Sequence, residues 1–258
     1  MQSQKVKRRN HHPHFSAVAA CWILGLILLM SSPSLAAQDT PIISGGAGFF
    51  ASRNLGTMSF QPVLAPVVAF PLGKHFLAES RFDFREFYTP ENGATGPYKG
   101  TFFKATQALQ LDYVVNRHVT LVAGRFLTPF GTYNERLSAI WIQRFQDAPL
   151  IFSAGDPLGS GNGAMLRGVI FSKPAVQMNY IGYFEASSSI SQFQSVRSVG
   201  DRIDIYFPRK RLEIGSSFSR VLTGTPVNAY GTHVWWTPAR SPLQVRSEYV
   251  HAAHAQGY

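Results

Sequence analysis

The sequence predicts an all-β fold: an antiparallel transmembrane β-barrel, incomplete here with about 10–11 strands, and a short helix in one long loop. Three observations predict it. Past residue 36 the chain resolves into segments about ten to thirteen residues long, many alternating apolar and polar residues, a length that suits a tilted membrane strand. The connections between segments alternate between short and longer. No second apolar run of helical spanning length follows the first.

Composition agrees with a strand-built chain. Of 258 residues, 15% are charged and 13% aromatic, and mean hydropathy is −0.03, which excludes both a helical membrane bundle and a disordered tail. Residues 1–36 read as a signal peptide. Lys5, Lys7, Arg8 and Arg9 form a basic start, residues 15–30 are an apolar run too short for the ~20 residues of a membrane-spanning helix, and Ser34-Leu35-Ala36 offers a small-x-small cleavage site. Val18-Ala19-Ala20-Cys21 is a poor lipoprotein box, because the apolar run lies mostly after Cys21. Four of the 24 basic residues belong to this leader, leaving 20 against 14 acidic ones, a diffuse balance that does not argue for nucleic acid. Cys21 is the single cysteine, so cleavage leaves no thiol for disulfides or metal sites.

Residues 37–258 are then the barrel. The first segment, 42–51, is glycine-rich. The second, 58–70, is apolar throughout, with Pro62 and Pro66 on one face, as in an edge or bulged strand. The third is the clearest: Phe76, Ala78, Ser80, Phe82 and Phe84 alternate with Glu79, Arg81, Asp83 and Arg85. In the fourth, 103–115, Ala105, Leu109, Leu111, Tyr113 and Val115 oppose Lys104, Gln110 and Asp112, with Gln107 out of place on the apolar face. The fifth, 119–129, is apolar on both faces except at Arg125. Segments 163–173 and 176–186 follow, then 198–207, a ninth beginning at Leu212, a tenth at 228–237 and an eleventh beginning at Leu243. Tight, basic turns (PLGKH, NRH, KPA, PRKR, PARSP) alternate with longer loops around 89–100, 130–162 and 187–197, the sorting of short and long connections between two rims that outer-membrane barrels show.

The longest connection holds the helix. Pro129-Phe130-Gly131 breaks the fifth strand, Asn134 is placed to cap a helix, and Leu137, Ile140, Trp141 and Phe145 fall on one face before Pro149 ends it. A helix with an apolar face needs a surface to lie against, so this loop is expected to fold inward and narrow the passage. Bacterial single-chain barrels have even strand numbers, and the ending HAAHAQGY lacks a strong amphipathic strand; the expectation is a truncated chain whose further strands close the barrel.

The run FLAESRFDFREFY and the stretch GRFLTPFGTYNERL with its helix and APLIF resemble the porins of Gram-negative outer membranes, in particular the phosphate-selective porin O/P-like group. The resemblance is good over residues 77–152 and elsewhere rests on strand pattern. It implies a water-filled passage in the cell outer membrane, assembly as a homotrimer and loops that constrict the bore. Phosphate-selective members rely on ladders of arginine and lysine. Here the inner faces carry Arg81, Arg85, Lys104, Arg125, Arg167, Arg202 and Arg246 against Glu79, Asp83, Asp112, Glu185, Asp204, Glu213 and Glu248, and so balanced a wall does not carry phosphate selectivity over.

The expected pore-lining residues are Glu79, Arg81, Asp83, Arg85, Lys104, Asp112, Arg125, Arg167, Arg202, Asp204, Arg246 and Glu248, and the expected constriction residues are Asn134, Glu135, Arg136, Arg144 and Asp147. No catalytic constellation, cofactor or metal is expected. His251 and His254 lack nearby acids, residues 159–163 are not followed by the helix and Lys-Ser/Thr of a phosphate loop, and no nucleophile elbow is visible. The expected function is passive diffusion of small hydrophilic solutes or ions, with outer-membrane lipid and those solutes as partners. The competing reading is a non-conducting barrel serving as receptor, adhesin or scaffold.

Overall fold

The computed structural model describes residues 40–54, 56–91, 96–139, 141–142, 159–187, 195–224 and 226–252. They belong to the second of two units, Asp39–Tyr258. The expected signal peptide, Arg144, Asp147 and His254 lie outside the described residues.

Eleven strands form one antiparallel sheet in strict sequence order: β1 (Ile42–Asn54), β2 (Thr57–Leu72), β3 (Phe76–Pro90), β4 (Tyr98–Asn116), β5 (Val119–Leu127), β6 (Ser160–Lys173), β7 (Val176–Ser187), β8 (Arg197–Phe207), β9 (Leu212–Val221), β10 (Asn228–Trp236) and β11 (Val245–Ala252). Each of the eleven segments read from the sequence coincides with one of them. Among the described residues β1 and β11 are each paired on one side only, so the sheet is open between them.

The connections sort as expected with two exceptions. At one rim, 73–75, 117–118, 174–175 and 208–211 are tight, while 237–244 is longer. At the other, 91–97, 128–159, 188–196 and 222–227 are longer, while β1 and β2 are joined by two residues. The tight turns have local causes. Gly73 takes φ +68°, which favours glycine, and the Asn116 side chain accepts the backbone N–H groups of both His118 and Val119 at 2.8 and 3.0 Å.

Strand alternation gives the sheet two unlike faces. One carries Phe49, Leu64, Leu109, Leu121, Phe184, Ile203, Ile214 and Tyr230, all well exposed. The other carries Asp83, Asp112, Glu185, Arg202, Asp204 and His233, all buried. Exposure of the apolar face and burial of the charged one inverts the arrangement of a water-soluble sheet.

The charged face is concave, which follows from distance. Thr132 meets Glu248 on β11, and Ser138 meets Arg81 on β3, eight strand steps away. A flat sheet at ~4.8 Å per step would hold those strands ~38 Å apart. The residues between Thr132 and Ser138 are wound into a turn that advances about 1.5 Å per residue, so they span only ~9 Å and the side chains at either end do not make up the rest. The sheet is therefore curled around the segment that follows β5.

That segment departs from the helix expected of it. Its described part is a single wide turn, Tyr133–Leu137, closed by Ser138 N–H donating to the Tyr133 carbonyl at 2.9 Å. Asn134 lies inside the turn and does not cap it; Thr132 precedes the turn without a side-chain cap. The physical reason is that Asn134 is used elsewhere. Its amide donates to the carbonyls of Thr128 and Gly159 at 2.8 and 2.7 Å, tying the two ends of the long connection together. The expected inward path is observed for residues 128–138. Ile140 and Phe145 lie outside the described residues.

Candidate functional site

The concave face and the inward turn form the candidate site, and its parts are set by strand parity. On β3, Glu79, Arg81, Asp83 and Arg85 point inward. Arg85 grips Asp83 with both Nε and Nη2 at 2.7–2.9 Å, and Gln107 donates to the same carboxylate at 3.0 Å. Gln110 of β4 donates to Glu79 and Asp112, and Arg167 of β6 pairs with Asp112. Charge-assisted pairs of this kind keep long side chains against the wall.

The turn and the residues leading into it are held from three strands. Arg202 on β8 donates to the Glu135 carboxylate at 2.7 Å, to the Gly131 carbonyl at 2.9 Å and, through Nε, to Asp204 at 3.0 Å. Arg136 pairs with Glu213 of β9 and lies 3.6 Å from Asp204. Ser217 accepts the Gly131 N–H at 3.0 Å, and Glu248 of β11 accepts the Thr132 hydroxyl at 2.8 Å. Gly131 has φ +61°, and a Cβ there would sit 1.7 Å from a Glu248 oxygen, so both its conformation and its closeness to β11 call for glycine. Apolar packing completes the seat. Phe130 is fully buried with Ala229, Val250 and Ala252, and Val122, Phe126, Met165, Ile181 and Tyr183 fill the concave face of β5–β7.

Two cavities adjoin the turn through Arg136. One of about 420 Å³ is lined by Glu79, Arg81, Gln110, Glu135, Arg136, Arg167 and Arg202. The other, of about 390 Å³, is lined by Arg136, Tyr206, Arg211, Glu213, Trp235 and Thr237. Arg136 lines both.

The structure thus brings Glu79, Arg81, Asp83, Arg85, Asp112, Arg167, Arg202, Asp204 and Glu248 onto the concave face with Asn134, Glu135 and Arg136. Arg246 joins them, stacked 4.0 Å from the Trp235 ring. It does not bring Lys104 or Arg125 there, and both are corrections to the sequence reading. Between Arg81 and Phe82 the register with β4 shifts: Ala108 faces Arg81 while Thr106 faces Phe82, leaving Gln107 as an extra residue. This bulge inverts the parity of β4 above it, so Lys104 pairs with Phe84 on the apolar face, where Phe84 stacks on Phe102. The same bulge turns Gln107 inward. Arg125 pairs with Leu109, also on the apolar face, and donates through Nε to the Thr106 carbonyl at 2.5 Å.

One concave-face residue lay outside the sequence reading: His233 of β10, almost fully buried. Its signal is cross-strand, since Gly215 is the register partner of both His233 and Asp204, and glycine there leaves the space both side chains use. His233 Nε2 lies 3.4 Å from oxygens of Asp204 and Glu213, which makes these three the group among the described residues able to offer ligands to one metal ion. No protein-family model matches the chain, and no curated protein does.

Proposed function

We propose that this chain forms the wall and inward loop of a porin-like, water-filled β-barrel in a Gram-negative outer membrane, through which small hydrophilic solutes or ions diffuse. The observation that carries the reading is the inverted polarity of the sheet. Lipid rewards an apolar exterior, and a charged, hydrogen-bonded concave face requires either water or partners inside. The turn at residues 133–137 supports a constriction, because its Arg136 reaches the concave face and lines two cavities there. A homotrimer belongs to the same reading through the porin resemblance alone.

The corrected wall changes the expected selectivity. Without Lys104 and Arg125, the fourteen charged residues weighed from the sequence leave five cationic against seven anionic on the concave face, and Glu135 and Arg136 add one of each. A wall leaning acidic favours cations. Full-length protein folded into planar bilayers is expected to give stepwise ohmic currents, with a reversal potential in a KCl gradient showing mild cation preference. Silence from folded, inserted protein overturns the pore.

A second reading has its own observation. The concave face of β5–β7 is packed with apolar side chains, and the turn is pinned from three strands, as in a filled barrel that serves as receptor, adhesin or scaffold. Silence in the bilayer experiment is the outcome this reading requires.

A further inference from the structure

We infer that Asp204, Glu213 and His233 form a binding site for a divalent transition-metal ion of the zinc class, and that Arg136 competes with the ion for it. The inference is independent of whether the barrel conducts. Its first support is geometric. His233 Nε2 is 3.4 Å from Asp204 Oδ1 and 3.4 Å from Glu213 Oε1, and the three ligand atoms all lie within 4.8 Å of one another. A tetrahedral zinc site with bonds of ~2.0–2.1 Å places its ligand atoms ~3.3 Å apart. The donor set of one imidazole and two carboxylates is one that zinc accepts.

The second support is what these atoms lack. His233 Nε2 and Asp204 Oδ1 are buried and make no hydrogen bond of good geometry among the described residues, although the imidazole lies 3.4 Å from two carboxylates. Buried polar atoms are rarely left so, and a bound ion is one of the few things that would engage them. The site is also shaped. A Cβ on Gly215 would sit 2.2 Å from His233 Cε1 and 2.5 Å from Asp204 Oδ1, so glycine between the two ligands is what lets them converge.

The surrounding charges define the competition. Asp204 uses its other oxygen, Oδ2, to bind Arg202, so its Oδ1 can take a metal with that contact intact. Glu213 uses the same oxygen, Oε1, toward both Arg136 and His233. An ion bound there displaces the Arg136 guanidinium, which is about one-third exposed and lines two cavities. Metal binding would therefore loosen one of the ties on the inward turn.

The test uses untagged full-length protein, folded in detergent and titrated with Zn²⁺ and separately with Co²⁺, whose visible absorption reports coordination geometry. The wild-type chain is expected to bind one Co²⁺ with the intense absorption of a tetrahedral site. His233→Ala should abolish that signal, and Arg136→Gln should tighten Zn²⁺ binding by about tenfold or more. The inference is overturned if folded wild-type protein gives only weak octahedral Co²⁺ absorption, or if Arg136→Gln binds no more tightly than wild type. Should His233→Ala fail to fold, the wild-type spectrum and the Arg136→Gln titration still decide. Binding at another histidine, such as exposed His75 or His251, would be independent of both substitutions, so a signal unchanged in His233→Ala assigns the ion elsewhere and also overturns the site.

Discussion

Gly124 and Gly182 both sit within strands, yet the structure makes opposite demands of them. Gly124 has φ +121°, and a Cβ there would lie 2.5 Å from the Leu109 carbonyl oxygen, a backbone atom that cannot swing aside. Gly182 has nothing within 4 Å of its Cβ position. Gly124→Ala is therefore expected to cost about 1–3 kcal/mol, the range for a residue forced into a sparsely populated conformation. Gly182→Ala should stay within about 0.5 kcal/mol, as surface changes do. Urea unfolding of the two variants in the same detergent separates them. Legibility from sequence divides along a similar line. Arg81, Arg85, Asp112 and Arg202 were placed correctly on the polar face of their strands because alternation is local. Lys104 is not, since one extra residue at Gln107 inverts everything beyond it; Gln107 breaks the apolar face at that point, but alternation alone does not say that the parity changes there. His233 passed unnoticed because a lone histidine in a strand has no meaning until the glycine opposite it is known.

At the scale of elements, all eleven strands were legible, because each combines an alternating or apolar run with a turn of Pro, Gly, Asn or basic residues. The inward connection was legible in its path but not in its form. Leu137, Ile140 and Trp141 suggested helical spacing, yet the first turn answers to long-range partners: Arg202, Glu213, Ser217 and Glu248 all lie more than sixty residues away in sequence. Asn134 shows how such an element is held. It donates to two carbonyls at opposite ends of the connection, so Asn134→Ala removes both bonds, leaving the Gly159 carbonyl only the Thr128 N–H, and should cost about 1–3 kcal/mol. Asn134→Asp keeps the shape but replaces the donor with a carboxylate facing two carbonyl oxygens, and should cost at least as much as the alanine. Equilibrium unfolding in detergent checks the order. If the aspartate variant is as stable as wild type, the amide is not the tie described here.

For the whole molecule the central matter is which medium meets the apolar face. If it is lipid, the cost of a charge there depends on depth: about 2–4 kcal/mol for arginine at the bilayer midplane and about 0–1 kcal/mol near the interfaces. If it is water, arginine at an exposed position should stay within about 0.5 kcal/mol anywhere on that face. Ile203 and Leu72 make the comparison. Both are exposed, at 39% and 43%, but Ile203 lies in the middle of β8 and Leu72 is the last residue of β2, beside a tight turn. Ile203→Arg is expected to destabilise the protein in phospholipid vesicles several-fold more, in free energy, than Leu72→Arg. Both side chains lie on the apolar face, opposite the inward turn, although Ile203 is the chain neighbour of Arg202 and Asp204. A flat response, with both substitutions nearly silent, would put water on that face. The membrane reading would then fail, and the exposed apolar surface would need a protein partner to cover it.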